Sequence, residues 1–287
     1  MYPVRYFYFP ERKNKMNSKA KINVRALTEC SIMIALSTVL SIIKLFEMPY
    51  GGSITLASML PIAVIAHRHN FKYGIGAALV ASVIQLLLGL KNFSYFTTPE
   101  SLIALGVFDY ILAFGVFGLV GLMKKWIKSQ SLAATVGVML ASVLRYLCHV
   151  ISGATIWAGL SIPDEAAIAY SLSYNATYMV PETIILVLTA AYLTSSLDFT
   201  QKTPKRLRSE SVDSFSALCF SGAGLAVLAA LITDTILVFS KLQNYDSGEF
   251  MIMGLTEVNW LAVGIVTAAA LAVAAVLVIL AKAKKRA

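Results

Sequence analysis

Apolar residues gather into long runs along most of this 287-residue chain. A helix needs roughly 20 apolar residues to cross about 30 Å of hydrocarbon. Seven runs meet or approach that length: 26–45, 73–90, 102–123, 132–158, 168–195, 214–240 and 259–281. An eighth stretch, 54–67, is short enough to be a buried or re-entrant helix instead. The pattern predicts an all-α integral membrane protein.

The basic residues between these runs alternate in density from one connection to the next. The segments 1–25, 67–72, 124–131, 196–213 and 282–286 carry twenty Lys and Arg, whereas the intervening connections carry three. Cytoplasmic connections of membrane proteins are enriched in these residues. We therefore expect both termini in the cytoplasm and eight crossings, because the alternation fails if 54–67 alone is not a span. Spans two and three could still form a shallow hairpin without changing the count.

The composition agrees with a membrane location. Hydrophobic residues make up 58% of the chain and charged residues 14%, and the mean hydropathy is +0.74, whereas a soluble domain is about half apolar and a quarter charged. The net charge of +9 is concentrated on one predicted side of the membrane, which indicates contact with anionic lipid rather than nucleic acid. The three cysteines are widely spaced in or beside apolar runs, which favours small core residues over disulfides or metal ligands.

Polar segments divide the chain into four parts. Residues 1–25 are a basic cytoplasmic tail, and 26–195 are a six-helix membrane domain that we expect to bind substrate. The polar stretch 196–213 is a cytoplasmic basic linker, and 214–287 form a C-terminal extension of two apolar helices. Ionisable and amide residues at membrane depth concentrate in the six-helix domain, so function is expected there.

Charged residues inside a membrane are costly unless they are paired or solvated, so each marks a potential functional site. Asp109 lies roughly two helical turns below the predicted outer surface, where a carboxylate suits a cationic ligand; pairing with Arg145 is the structural alternative. Arg145, His149 and Trp157 share one stripe of the fifth span because they are spaced by four and eight residues. A satisfied core histidine and an interfacial tryptophan are equally weighted alternatives for the last two.

The start of the sixth span supplies a second group of polar and aromatic side chains. Tyr170, Tyr174 and Tyr178 recur every four residues, and Asn175 offers donors and acceptors for the edge of a heterocycle. Interfacial tyrosines are the alternative. Glu182 is positioned to pair with the basic residue of the fifth span. The three spans predict an outward-opening site for a small, flat, neutral to cationic molecule.

No pattern typical of catalysis is visible in the sequence. It contains no Walker A motif, no HExxH, no GxSxG and no paired metal ligands. We therefore predict a non-enzyme with no catalytic residues, no bound metal and no cofactor.

Five stretches, in this order, resemble the thiamine-specific S component, the substrate-binding membrane subunit of energy-coupling factor (ECF) vitamin transporters. They are NVRALTECSIMIAL (23–36), GGSITLASMLPI (51–62), FDYILAF (108–114), RYLCHVISGATIW (145–157) and YSLSYNATYMVPE (170–182). The resemblance implies a multi-pass subunit of an ABC-type importer in a prokaryotic cell membrane, which binds thiamine tightly from outside. Its implied partners are an ECF transmembrane scaffold subunit and two cytoplasmic ATPase subunits that supply the energy.

The resemblance also implies site residues. The acidic residue that meets the aminopyrimidine ring, usually Glu, corresponds to Asp109, which is shorter by one methylene. The other implied substrate-binding residues are Tyr110, Arg145, His149, Trp157, Tyr170 and Asn175. Docking to the scaffold would use small residues on the first span, here Ser31 and Ala35, which permit close helix approach.

Two positions depart from the family pattern. Gly52 and Ser53 stand where some members have Trp, and Ala81 or Ser82 stands where another aromatic is expected. We expect the missing stacking surface to come from the loop 91–101, acting as a lid through Phe93, Tyr95 and Phe96.

Two alternatives to a thiamine importer subunit stay open. One is an S component for a thiamine precursor or another small vitamin. The other is a membrane sensor or assembly protein in which Asp109, Arg145 and Glu182 form a purely structural cluster. The resemblance does not reach the two C-terminal helices, whose role it leaves open.

Overall fold

Helices account for most of the structure, a computed structural model that describes residues 23–48, 51–69, 71–96, 98–159, 164–207, 214–242 and 251–284. The predicted tail falls almost wholly outside these ranges. The helices are α1 (Val24–Ile42), α2 (Leu60–Arg68), α3 (Phe71–Leu88), α4 (Pro99–Lys125), α5 (Gln130–Gly159), α6 (Asp164–Ser196), α7 (Ser214–Leu242) and α8 (Trp260–Lys284). Within the described residues, seven helices, all but α2, are long and apolar enough to cross a membrane.

The short run 54–67 is divided between a strand and a short helix. Its first residues belong to an antiparallel hairpin of β1 (Lys44–Glu47) and β2 (Ser53–Thr55). Only α2 is helical, and its nine residues rise about 14 Å. The C-terminal end of α2 nevertheless lies beside the first turns of α1, as the distance of 2.6 Å between Arg68 Nε and Glu29 Oε2 shows. The hairpin, its connection and α2 together therefore run back along the length of α1. The count of eight crossings stays a prediction.

Polar contacts hold the helix ends together at one end of the bundle, called here the basic end. Lys124 Nζ, at the end of α4, donates to the carbonyl of His67 at 2.8 Å. Gln130, at the start of α5, donates to the carbonyl of Thr194 near the end of α6 at 2.8 Å. A second small hairpin, β3 (Leu197–Asp198) with β4 (Lys205–Arg206), follows α6 at this end. These segments carry the basic residues that the sequence assigns to the cytoplasm.

Helix α4 is irregular along its length. It begins as an α-helix at Pro99, becomes a π-helix over Leu105–Leu112 and ends in 3₁₀ turns over Val116–Lys125. A π-helical stretch inserts extra residues into the turn and is frequent at functional sites. Asp109 lies in this stretch, so its side chain direction departs from that of a regular helix.

The C-terminal extension is a hairpin of two helices, α7 and α8, that pack against each other. No described residue in the most apolar window of α8 is buried, as expected of a helix with a large surface that faces lipid. The extension contacts the six-helix bundle through α6, at the end opposite the basic end. A short 3₁₀ segment, Ile252–Thr256, leads from the connection into α8.

Candidate functional site

A cavity of about 520 Å³ opens at the end of the bundle opposite the basic end, called here the cavity end. Its size falls within the range of small-molecule sites. The first hairpin, α3, α4, α5 and α6 all contribute to its wall. Its lining includes Gly52, Thr55, Gln85, Asn92, Phe96, Asp109, Tyr110, Phe114, Arg145, His149, Tyr174, Asn175, Tyr178 and Glu182.

A hydrogen-bonded chain of three side chains crosses from α5 to α4. Arg145 Nε lies 3.3 Å from His149 Nε2, and His149 Nδ1 lies 2.8 Å from Asp109 Oδ1. A guanidinium N–H can only donate, so His149 Nε2 accepts and the imidazole proton is on Nδ1. Nδ1–H then donates to Asp109. This arrangement orients the carboxylate, which is 21% exposed and lines the cavity, while leaving the imidazole neutral.

Arg145 also forms an ion pair on the cavity floor. Its Nη1 lies 3.5 Å from Glu182 Oε2, and both side chains are buried. Thr55 Oγ1, from β2, lies 2.8 Å from the other carboxylate oxygen. Buried charges need such partners because desolvation is costly. The pair follows the sequence expectation for Glu182, and Asp109 is bonded to His149 instead of to Arg145.

Planar groups are stacked along one wall of the cavity. The rings of Phe93 and Tyr110 are 6.2 Å apart with a tilt of 20°, and those of Tyr110 and Phe114 are 6.4 Å apart with a tilt of 9°. The Arg145 guanidinium lies 4.6 Å from the Phe114 ring centre. The Tyr110 hydroxyl is fixed because it donates to the Gly89 carbonyl and accepts from Asn92.

The opposite wall is made by α6 and the first hairpin. Tyr178 donates to Asn175 Oδ1 at 2.6 Å, and Asn175 Nδ2 lies 3.2 Å from the His149 carbonyl. The backbone N–H of Gly52 reaches the Tyr174 hydroxyl at 3.4 Å. A Cβ at Gly52 would lie 2.7 Å from the Tyr178 ring, so this close approach requires glycine. The absence of a Trp at this position therefore has a steric explanation.

The charged side chains that line the cavity balance overall, three acidic against three basic, but they are unevenly distributed between its interior and its rim. Its interior holds two carboxylates, Asp109 and Glu182, and one cation, Arg145, because His149 is neutral. Lys44 and Lys91 flank Glu47 at the rim, where water and salt screen them. The Lys44 ammonium bonded to Glu47 lowers the pKa of that carboxyl, with Lys91 adding to the effect. The interior therefore favours a ligand with one positive charge.

Most of the predicted substrate-binding residues meet in this cavity. Asp109, Tyr110, Arg145, His149 and Asn175 all line it. Their direct contact with a ligand stays a prediction.

Two predicted substrate-binding residues are placed differently. Tyr170 is buried in an apolar cluster with Leu242 and is not among the residues that line the cavity. The side chain of Trp157 lies outside the described part of the structure, although its backbone continues α5. Neither placement tests whether these residues reach the ligand.

The predicted lid residues divide into three positions. Phe96 is buried and lines the cavity, Phe93 stacks on Tyr110, and Tyr95 is exposed beside Phe96. On α1, Ser31 and Ala35 are both exposed, which leaves the predicted docking stripe uncovered within this chain.

Several lining residues were not among those predicted to bind substrate. Phe114, Asn92, Gln85, Tyr174 and Tyr178 all face the cavity. The four-residue spacing of the tyrosines signalled the last two. Phe114 and Asn92 carried no comparable signal, because an aromatic or amide residue in an apolar run has many other uses.

A helical membrane protein with a cavity of this size and a net negative, aromatic interior belongs to the class that binds a small organic solute. The chain matches the family described as Thiamine transporter protein (Thia_YuaJ) over residues 27–201, more than half of its length. It therefore belongs to this family of transporters, which are not enzymes. The resemblance to a thiamine-specific S component is confirmed.

Two relatives identified by sequence agree with the family match. The chain is 34% identical to the thiamine transporter ThiT of Bacillus subtilis (strain 168) over 182 residues, which cover 59% of this chain and 91% of the relative. It is 24% identical to ThiT of Lacticaseibacillus paracasei over 161 residues, which cover 53% of this chain and 74% of that relative. A solved structure of ThiT from Listeria monocytogenes aligns with 25% identity and a TM-score of 0.49, covering 60% of this chain and 93% of that one.

Proposed function

We propose that this chain is the high-affinity thiamine-binding membrane subunit of an ECF-type importer. It would bind thiamine from outside, while a transmembrane scaffold subunit and two ATPase subunits supply the energy. Family membership supports thiamine uptake. The importer setting is the further step, which is motivated by the lack of a Walker A motif in this sequence and by the exposed small residues on α1.

The cavity's uncompensated carboxylate is the observation that carries the choice of ligand. Thiamine joins a quaternary thiazolium cation to a flat aminopyrimidine. Asp109 supplies a negative charge on one side of the cavity, held in place by His149. Tyr110 and Phe114 also line the cavity, and aromatic rings attract cations. The charge and shape of the interior thus fit both halves of thiamine.

The proposal also assigns the protein an orientation in the membrane. The basic end of the bundle would face the cytoplasm, following the distribution of Lys and Arg. The cavity would then open to the exterior. The six-helix unit 26–195 is proposed as the substrate-binding domain, 196–213 as the cytoplasmic linker and 214–287 as an appended membrane unit.

Titration of purified protein with thiamine, followed by isothermal calorimetry, tests the ligand. Asp109→Asn keeps the side chain's shape and removes its charge, so the affinity should fall by at least about tenfold, the value of one charged contact. Asp234→Asn is the matched control, because Asp234 is a membrane carboxylate of α7 that bonds Thr267 and not the cavity. Equal thiamine affinity in both variants and the wild type would remove Asp109 from the site.

Competition distinguishes thiamine from its precursors. An isolated aminopyrimidine or thiazole that displaces thiamine at equal concentration would point to a precursor transporter. If neither thiamine nor its fragments bind, the cavity's polar groups serve a structural or sensing role instead.

A further inference from the structure

The two C-terminal helices lie beyond residues 27–201, which match the transporter family, yet they touch the bundle at an informative place. Their contact with the bundle is through α6, at the cavity end. There Leu242, the last residue of α7, is completely buried. A fully buried leucine at the end of a helix with few other buried residues indicates a specific packing contact.

Leu242 belongs to one apolar cluster with residues of α6 and of the first hairpin. The cluster includes Tyr170 and Tyr174 from α6 and Met48 and Ile54 from the hairpin. Val238 and Leu255 of the extension, together with partly buried residues of the bundle, pack against it. The extension therefore contributes to the packing behind Tyr174 and Tyr178 of α6, which line the cavity and are called here the tyrosine wall.

The contacting end of the extension is held rigidly by its own backbone. The Met251 N–H donates to the Leu242 carbonyl at 2.8 Å, and Trp260 Nε1 donates to the Leu255 carbonyl at 3.0 Å. Gly254 sits so close to the Lys241 carbonyl that a Cβ there would collide with it. This end is thus a compact cap over the end of α7, able to transmit a force to α6.

The hairpin is the part of the cavity wall that this cluster holds in place. Gly52 reaches the Tyr174 hydroxyl, and Thr177 on α6 contacts Met48 Sδ at 3.8 Å. The hairpin residues Gly52 and Thr55 line the cavity, so a movement of this wall away from α6 would widen the cavity. The free energy of that opening includes the contacts of the cluster.

We infer that the cap of the C-terminal extension, formed by Leu242 and residues 251–260, braces the tyrosine wall of the cavity and thereby lengthens the residence time of the ligand. Leu242 is a positioning residue that acts through Tyr170 and Tyr174 without touching the ligand. The inference rests on the proposed function for the identity of the ligand, but the bracing itself does not.

The test uses the full chain with Leu242→Ala, which removes the buried side chain, and Gly254→Ala, which displaces the cap by an independent route. Leu271→Ala is the matched control, because Leu271 is an exposed leucine of α8 in the same extension. Leu242→Val, which removes a single methylene, serves if the alanine variant does not accumulate. Two readouts are measured: backbone hydrogen exchange without ligand, and dissociation of radiolabelled thiamine during a chase with unlabelled thiamine.

A brace predicts faster exchange in peptides covering residues 44–55 and 170–178, with no change in peptides of α2 at the basic end. It also predicts thiamine dissociation at least about threefold faster in both cap variants than in Leu271→Ala, a modest coupling between packed sites. Exchange at the hairpin and α6 equal to that of Leu271→Ala would overturn the inference. Failure of the wild type to bind thiamine would instead contradict the proposed function, and the exchange result would still decide the brace.

Discussion

The ion pair on the cavity floor allows a quantitative prediction about stability. Arg145 and Glu182 are 9% and 4% exposed, with 3.5 Å between Nη1 and Oε2. At an effective dielectric constant of about 20, two unit charges at that distance attract each other by about 5 kcal/mol. Removing one partner of a buried pair leaves an uncompensated charge and typically costs about 3–5 kcal/mol. Replacing both partners by neutral groups removes that penalty.

We therefore expect Glu182→Gln and Arg145→Met each to destabilise the protein by roughly 3–5 kcal/mol. The Arg145→Met variant should lie at the upper end, because it leaves both Asp109 and Glu182 in the cavity without a fixed cation. The double variant should be more stable than the sum of the two single effects predicts, by at least about 2 kcal/mol of coupling. Gln at position 182 can still accept from Thr55, so the hairpin contact is retained.

The measurement is a double-mutant cycle of unfolding free energies from denaturant titrations in mixed micelles. The matched control is the same cycle on Lys44 and Glu47, a rim pair at 2.6 Å whose side chains are 32% and 46% exposed. An exposed pair should give a coupling of at most about 1 kcal/mol. Two results would refute the assignment of a buried, mutually dependent pair. One is that the single variants of Arg145 and Glu182 lower the unfolding free energy no more than those of Lys44 and Glu47. The other is that the effects of the two single variants at the cavity floor are strictly additive.

Three further outcomes are expected. Gly89→Ala should weaken thiamine binding by about tenfold, because the added methyl would collide with the Tyr110 hydroxyl. Gly76→Ala, at an open position of α3, the helix that Gly89 follows, should leave affinity unchanged in the same titration. The depressed pKa of Glu47 makes its ion pair stabilising above the ordinary value of 4.5, and this stabilisation is lost as the pH falls through the lower folded value. The unfolding midpoint of Glu47→Gln should therefore vary less with pH below 4.5 than that of the wild type; identical profiles would contradict this. Each of Lys91→Cys and Lys125→Cys is introduced into a variant that lacks the native cysteines and is expressed in cells. A membrane-impermeant maleimide added outside should label Lys91→Cys and not Lys125→Cys, and the opposite result would contradict the proposed orientation.

The sequence predicted the long helices well because length and composition alone determine them. The run 102–123 lies within α4 (Pro99–Lys125), and the run 132–158 lies within α5 (Gln130–Gly159). The secondary structure of the run 54–67 was harder to predict, since a short apolar stretch fits a strand, a short helix or a span equally well. Its division into β2 and α2 depends on tertiary contacts such as those of Thr55 with Glu182, 127 residues away.

The site was predicted less completely, because helical spacing gives a face and not a neighbour. His149 and Arg145 were placed on one stripe, but only the fold shows that the imidazole lies between the guanidinium and Asp109. Tyr170 and Tyr174 share a stripe and both pack in the cluster around Leu242, yet Tyr174 also lines the cavity and Tyr170 does not. No periodic pattern in the sequence predicts the π-helical stretch that contains Asp109.

The charges in the cavity interior relate the stability of the protein in the membrane to the kind of ligand that it binds. A charge inside a membrane is tolerated when it is paired or solvated, and Arg145 and Glu182 are paired within the protein. Asp109 is only partly satisfied, because a neutral imidazole offers it a hydrogen bond and no positive charge. Asp109 lines the cavity, where water or a ligand can reach its carboxylate. Under the proposed function a cationic ligand would complete this pairing, so ligand binding should stabilise the six-helix unit most where Asp109 keeps its charge. That stabilisation should largely disappear in Asp109→Asn, even if the neutral variant is itself more stable without ligand.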